Sequence, residues 1–130
     1  MNINIINGNS GNISSLGRFL SHLNLDYNLV PPDFNAEEVK NNIIIIPGNG
    51  NWESIIDMLA PRREFIIESV KNHVYIIGIC AGFQCLFSSS EEGPSLGLNI
   101  FDEKVEKIES QRLPVVGNIL CNNSKEYYFL

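Results

Sequence analysis

The spacing of apolar and polar positions along the 130 residues changes several times, and each change marks an element. Ile3, Ile5 and Ile6 sit in a short β-branched run that ends in the turn-rich stretch NGNSGN, which predicts a strand over 3–6 and then a loop. Ile13, Leu16, Leu20 and Leu23 recur at helical spacing with Phe19 beside them, so an amphipathic helix is expected over 12–23. A second strand is expected over 27–30, before Pro31 and Pro32 break the pattern. Four consecutive isoleucines, 43–46, read as a buried strand that runs into the loop PGNG. Helical spacing returns at about 52–59 and 62–72, with Pro61 placed as a first-turn proline. Residues 74–79 form another continuous apolar strand, and 81–87 turn helical. Beyond the polar stretch SSSEEGPSLGLN the texture changes, and short strands are expected within 104–109, 113–120 and 126–130.

Strands that are apolar throughout belong to a sheet covered on both faces. Their alternation with helices through short connections implies right-handed βαβ units. The expected fold is therefore α/β, an open, mostly parallel, doubly wound sheet with helices on both faces, as a single incomplete domain over 1–130. The incompleteness is read from the end of the chain, which closes on Tyr127, Tyr128, Phe129 and Leu130 with no polar exit, where termini usually fray. A domain lacking its C-terminal part exposes apolar surface and a strand edge, so a poorly soluble or partner-dependent protein is expected.

Composition narrows the possibilities further. A hydrophobic content of 44% and a charged content of 18% are ordinary for a soluble globular domain. No apolar stretch approaches the roughly 20 residues that span a bilayer, and the start, MNINIING, lacks a basic region and a long apolar segment, so no membrane partner and a cytoplasmic location are expected. A net charge of −6 without a basic stripe argues against a nucleic-acid partner. Three cysteines outside an export context are expected to be free thiols. The glycosylation patterns at Asn12 and Asn122 are then chance matches.

Candidate chemistry centres on Cys80, between Gly78 and Gly82 in the run IIGICAGFQCLF. Strand, G-x-C-x-G turn and helix have the layout of a nucleophile elbow. Glycines flank such a residue because its backbone is strained and its neighbours approach without a Cβ. A helix N-terminus after Cys80 would favour the thiolate, and the N–H groups of Ala81 and of the loop from Gly48 to Gly50 could stabilise an oxyanion. The turn alone leaves a second reading open, since cysteine is also a common small core residue. That is the reading for Cys85 and Cys121. NGNSGN lacks both the dinucleotide spacing and the Walker lysine, so nucleotide binding is discounted, and no metal or cofactor is expected.

The segment GICAGFQCLFSSSEEG resembles the nucleophile segment of class I glutamine amidotransferases, and more narrowly that of the glutaminase subunit of imidazole glycerol phosphate synthase. NGNSGNISSL after the first strand, IIIIPGNGNW after the third, and SSEEGPSLGLN downstream match that family in the same order. The resemblance covers essentially all of this chain but only about two-thirds of the family's usual length. It implies that Cys80 attacks the carboxamide of glutamine and releases ammonia, leaving glutamate. The ammonia would pass to a partner, the cyclase (β/α barrel) subunit, which closes the imidazole ring in histidine biosynthesis. It implies further that Gly50 and Ala81 form the oxyanion hole and that Gly48, Gln84 and Glu92 contact substrate; on the residues alone Glu91 and Glu92 also read as a solvated acidic pair, the reading taken for Glu91.

Departures from the family are equally informative. LPVVGNIL stands where the family has a proline-histidine-x-glycine-tryptophan-asparagine stretch, with Val115 in place of the histidine, and the His-x-Glu pair of the triad has no counterpart. His22 and His73 are the two histidines, and His73 lies seven residues upstream of Cys80, roughly 20 Å along a strand, against the 3 Å a general base requires. The alternative is a degenerate, non-catalytic subunit of this type that only binds a partner.

Overall fold

The computed structural model describes residues 2–8, 12–34, 43–109, 117–120 and 126–129, with side chains through 109. In chain order the elements are β1 (Ile3–Ile6), α1 (Ile13–His22), β2 (Tyr27–Val30), β3 (Ile43–Ile46), α2 (Trp52–Leu59), a 3-10 turn (Ala60–Arg62), α3 (Arg63–Lys71), β4 (Tyr75–Gly78), α4 (Ala81–Gln84), β5 (Phe87–Ser90), β6 (Phe101–Val105), β7 (Gly117–Leu120) and β8 (Glu126–Phe129). The first four strands form one parallel sheet in the order β2-β1-β3-β4.

Because successive side chains of a strand point to opposite faces, the isoleucine runs feed two cores. Ile3, Ile5 and Ile45 pack with Leu20 of α1, and Ile13 and Leu16 close that layer. Ile6, Ile44 and Ile46 face the other way, onto Ile55, Met58 and Leu59 of α2 and Ile66 of α3. Each fully buried isoleucine stabilises the fold by roughly 1.5–3 kcal/mol. Helices thus cover both faces, as continuous apolar strands require.

Side-chain caps set where α1 and α2 begin. Asn12 accepts the N–H of Ser15 at the start of α1, and Asn51 accepts that of Ser54 (2.9 Å) at the start of α2. Arg62, almost fully buried, donates to the carbonyls of Pro31, Met58 and Asn7, which ties the helical layer to the loops after β1 and β2. Burial lowers its pKa from the ordinary value, while three carbonyl acceptors make the buried cation tolerable. The sequence pattern gave no sign of this role.

α1 spans β1 to β3 and leaves β4 uncovered. Tyr75, Ile77 and Ile79, which share the α1 face, are exposed, with Tyr75 at 75%. These side chains form an apolar strip along the edge strand of the four-stranded sheet.

Two local expectations change. The helix expected over 81–87 stops at Gln84, because residues 98–101 capture its carbonyls: Leu98 donates to Cys85 (2.8 Å), and Ile100 and Phe101 both donate to Leu86. The chain is thereby drawn into β5, which pairs in parallel with β6, and β6 begins three residues before the strand expected at 104–109. β7 and β8 pair antiparallel. Val115, Cys121 and Asn122 lie outside the described residues, as does the 9–11 part of the loop after β1.

Candidate functional site

At the carboxyl end of β4 the chain turns sharply. Ile79 N–H donates to Ile46 O (3.0 Å), which holds the end of β4 level with the end of β3. Cys80 then adopts φ 53° and ψ −122°, a conformation that residues with a Cβ seldom occupy. Gly82 N–H returns to Ile79 O (2.9 Å), and the N–H groups of Phe83 and Gln84 donate to Cys80 O, so α4 starts at once. The thiol of Cys80 is exposed at the tip of this turn.

Two glycines make the turn possible. A Cβ on Gly48 would stand 2.1 Å from Ile79 O and 2.2 Å from Gly82 N, and one on Gly82 would stand 2.4 Å from Ile46 O. The loop after β3 and the turn after β4 therefore lie backbone against backbone, with no room for a side chain between them. Ala81 N, a first-turn donor that has no acceptor within the helix, lies against Gly48. Gly50, at φ 153°, directly precedes the Asn51 cap of α2. Cys80, Ala81 and Gly48 are thus neighbours, and Gly50 ends the same loop. α4 is a single turn, so the dipole assistance expected from a longer helix is correspondingly small.

The acidic residues separate into three roles. Glu91 pairs with Lys104 (3.2 Å) and accepts the Lys107 N–H, and these two partners lower its pKa below the ordinary value. It holds β5 to β6. Glu92 is exposed, and among the described residues its backbone N–H donates to Ser90 Oγ. Glu53 was not anticipated: both carboxylate oxygens bind Ser95, through its N–H and its hydroxyl, while neighbouring Trp52 donates Nε1 to Ser95 O (3.0 Å). The sequence signal was an aromatic residue next to an acid at the very start of α2, with nothing to say where they pointed.

Gln84 is half-buried, four residues after Cys80. Cys85 is fully buried, and its thiol pKa is pushed up to about 12 by burial first, then by the charges of Glu92 and Glu53. It is the inert core thiol expected. His22 ends α1 and His73 precedes β4 at the opposite end from Cys80; both are exposed. A groove of about 840 Å³ runs along α3, lined by Phe34, Phe65 and Val74, and shares no residue with the site. Among the described residues no helix is long and apolar enough to cross a membrane.

Comparison with known proteins gives a consistent result. The glutamine amidotransferase class-I family matches residues 4–128. The chain is similar to the imidazole glycerol phosphate synthase subunit HisH of Pyrococcus furiosus, at 43% identity over 79 residues, which is 60% of this chain and 41% of that one. It is similar to the subunit of the same name from Thermotoga maritima, at 34% identity over 125 residues (90% of this chain, 61% of that one). The Methanocaldococcus jannaschii subunit HisH is 37% identical over 118 residues, 88% of this chain and 58% of that one. The chain therefore spans between 41% and 61% of the length of these curated relatives.

Proposed function

The chain belongs to the class-I glutamine amidotransferase family, and from that premise we propose that it is the nucleophile-bearing part of a glutaminase that feeds ammonia to an imidazole glycerol phosphate synthase. The Cys80 thiolate attacks the side-chain carbonyl carbon of glutamine. Negative charge moves onto the carbonyl oxygen, where the N–H groups of Ala81 and of Gly50 receive it. The C–N bond breaks, the nitrogen leaves as ammonia with a proton delivered by solvent water (the one the thiol gave up on ionising), and water then hydrolyses the glutamyl thioester to glutamate and free thiol. Gly48, Gln84 and Glu92 hold the amino-acid end of the substrate, and a β/α-barrel cyclase subunit takes the ammonia.

One observation carries this reading. An exposed cysteine is kept at positive φ on a turn that packs backbone to backbone against the glycine loop. Strain of this kind, of order 1–3 kcal/mol, persists where the surrounding structure enforces it and gathers at reactive sites. Neither His22 nor His73 lies at the Cys80 end of the sheet, so these 130 residues supply no imidazole base, and their own ammonia release is at least about 10³-fold below that of a complete triad. The missing base favours a second reading, a degenerate subunit that only binds a partner. Labelling with a diazoketone analogue of glutamine, mapped by mass spectrometry, tests the proposal. Modification at Cys80 supports a site shaped for glutamine; labelling absent there, with iodoacetamide still reacting, would leave the binding-only reading.

A further inference from the structure

The segment from Glu91 to Gly97, which carries Glu92, is fastened to the first turn of α2 as well as to the chain that follows the elbow. Trp52, wholly buried, and Glu53 both reach Ser95, one through an indole donor and the other through two carboxylate acceptors. The fit extends to Gly93, where a Cβ would stand 2.0 Å from Glu53 Oε1. On its other side the segment is tied to the elbow's own continuation, since Gly97 donates to Ser88 O and Leu98 to Cys85 O. The first turn of α2 follows directly on Gly50, so one rigid piece of backbone carries the glycine loop and grips the Glu92 segment.

From this arrangement we infer that Glu53 is a positioning residue: through Ser95 it fixes the Glu92 segment relative to Cys80 and the Gly48–Gly50 loop, and so sets how tightly glutamine is captured. The inference rests on the proposed glutaminase reading and adds a residue that the resemblance does not supply. Glu53 touches neither substrate nor thiol, so its loss loosens the substrate end of the site and leaves the reactivity of Cys80 itself alone.

The test is the concentration dependence of Cys80 modification by the diazoketone analogue in the 130-residue chain, with iodoacetamide as a probe of bare thiol reactivity. Glu53→Ala raises the half-saturating analogue concentration roughly tenfold, the equivalent of about 1.4 kcal/mol, while the iodoacetamide rate at Cys80 stays within about twofold. Ser95→Ala, which removes one of the two bonds and retains the fold if the first variant does not, raises it about threefold, and the double variant is no worse than Glu53→Ala because both act through one contact. An unchanged half-saturating concentration in both single variants overturns the inference and leaves the glutaminase reading intact. So does a parallel fall in analogue and iodoacetamide rates, which would make Glu53 a general stabilising residue. A parent chain that iodoacetamide alkylates but the analogue does not label removes the glutaminase reading itself, and the inference with it.

Discussion

Replacing Cys80 by glycine should make the protein more stable, although it destroys the nucleophile. At φ 53° and ψ −122° a residue with a Cβ is strained by of order 1–3 kcal/mol, whereas glycine occupies this region freely. The thiol is exposed, so its removal forfeits little packing. Against the gain stands the greater entropy of glycine in the unfolded chain, about 0.5–1 kcal/mol. The balance is a net stabilisation of about 1 kcal/mol. Cys80→Ala is the control, because alanine keeps the Cβ and hence the strain, and its stability should match the parent within about 0.5 kcal/mol. With a urea m-value of about 2 kcal/mol/M, the glycine variant should unfold at a midpoint roughly 0.5 M above the alanine variant. Equilibrium urea unfolding followed by circular dichroism measures this directly. A glycine midpoint at or below that of alanine would refute the claim that the turn stores strain at position 80.

Three other outcomes follow from the same structure. Iodoacetamide at about pH 8 should alkylate Cys80 in the folded chain and spare Cys85, whose thiol stays protonated below about 12; peptide mapping checks this, and labelling of Cys85 should appear only after denaturation. Glu91 has a folded-state pKa below the ordinary 4.5, so its stabilising contribution is fully present above that value and is lost as pH falls through the folded pKa. The difference in urea midpoint between the parent and Glu91→Gln should therefore be visible at about pH 6 and vanish in the more acidic range. Ile77→Lys, on the bare face of β4, should raise the monomer fraction in sedimentation velocity without lowering the unfolding free energy by more than about 0.5 kcal/mol.

How far the fold could be read from the sequence depended on whether each element was decided locally. The isoleucine runs of β1 and β3, the 3.6-residue spacing of α1 and the proline before α3 declare themselves within a few residues. The region after Cys80 does not. Its apolar spacing allows a helix through Phe87, and only the distant backbone donors of residues 98–101 draw Cys85 and Leu86 out of it. β5, with the sequence FSSS, has neither alternation nor β-branched enrichment, so pairing with β6 decides its state. At the site, Gly48, Cys80 and Gly82 were legible because a close approach leaves a compositional trace. Glu53 and Arg62 were not, since an acid or a base on a helix is ordinarily solvated, and nothing local announces that its partner is a backbone loop between 31 and 55 residues away.

Whether the sulfur at the tip of β4 faces a cavity that fits an amino acid with a side-chain amide is decided most directly by protection. Iodoacetamide alkylation of Cys80 should slow at least about threefold as L-glutamine is raised to saturation, with D-glutamine giving no protection, because a bound ligand occludes the thiol it is aligned with. An alkylation rate that is the same with and without L-glutamine would contradict the account at its centre.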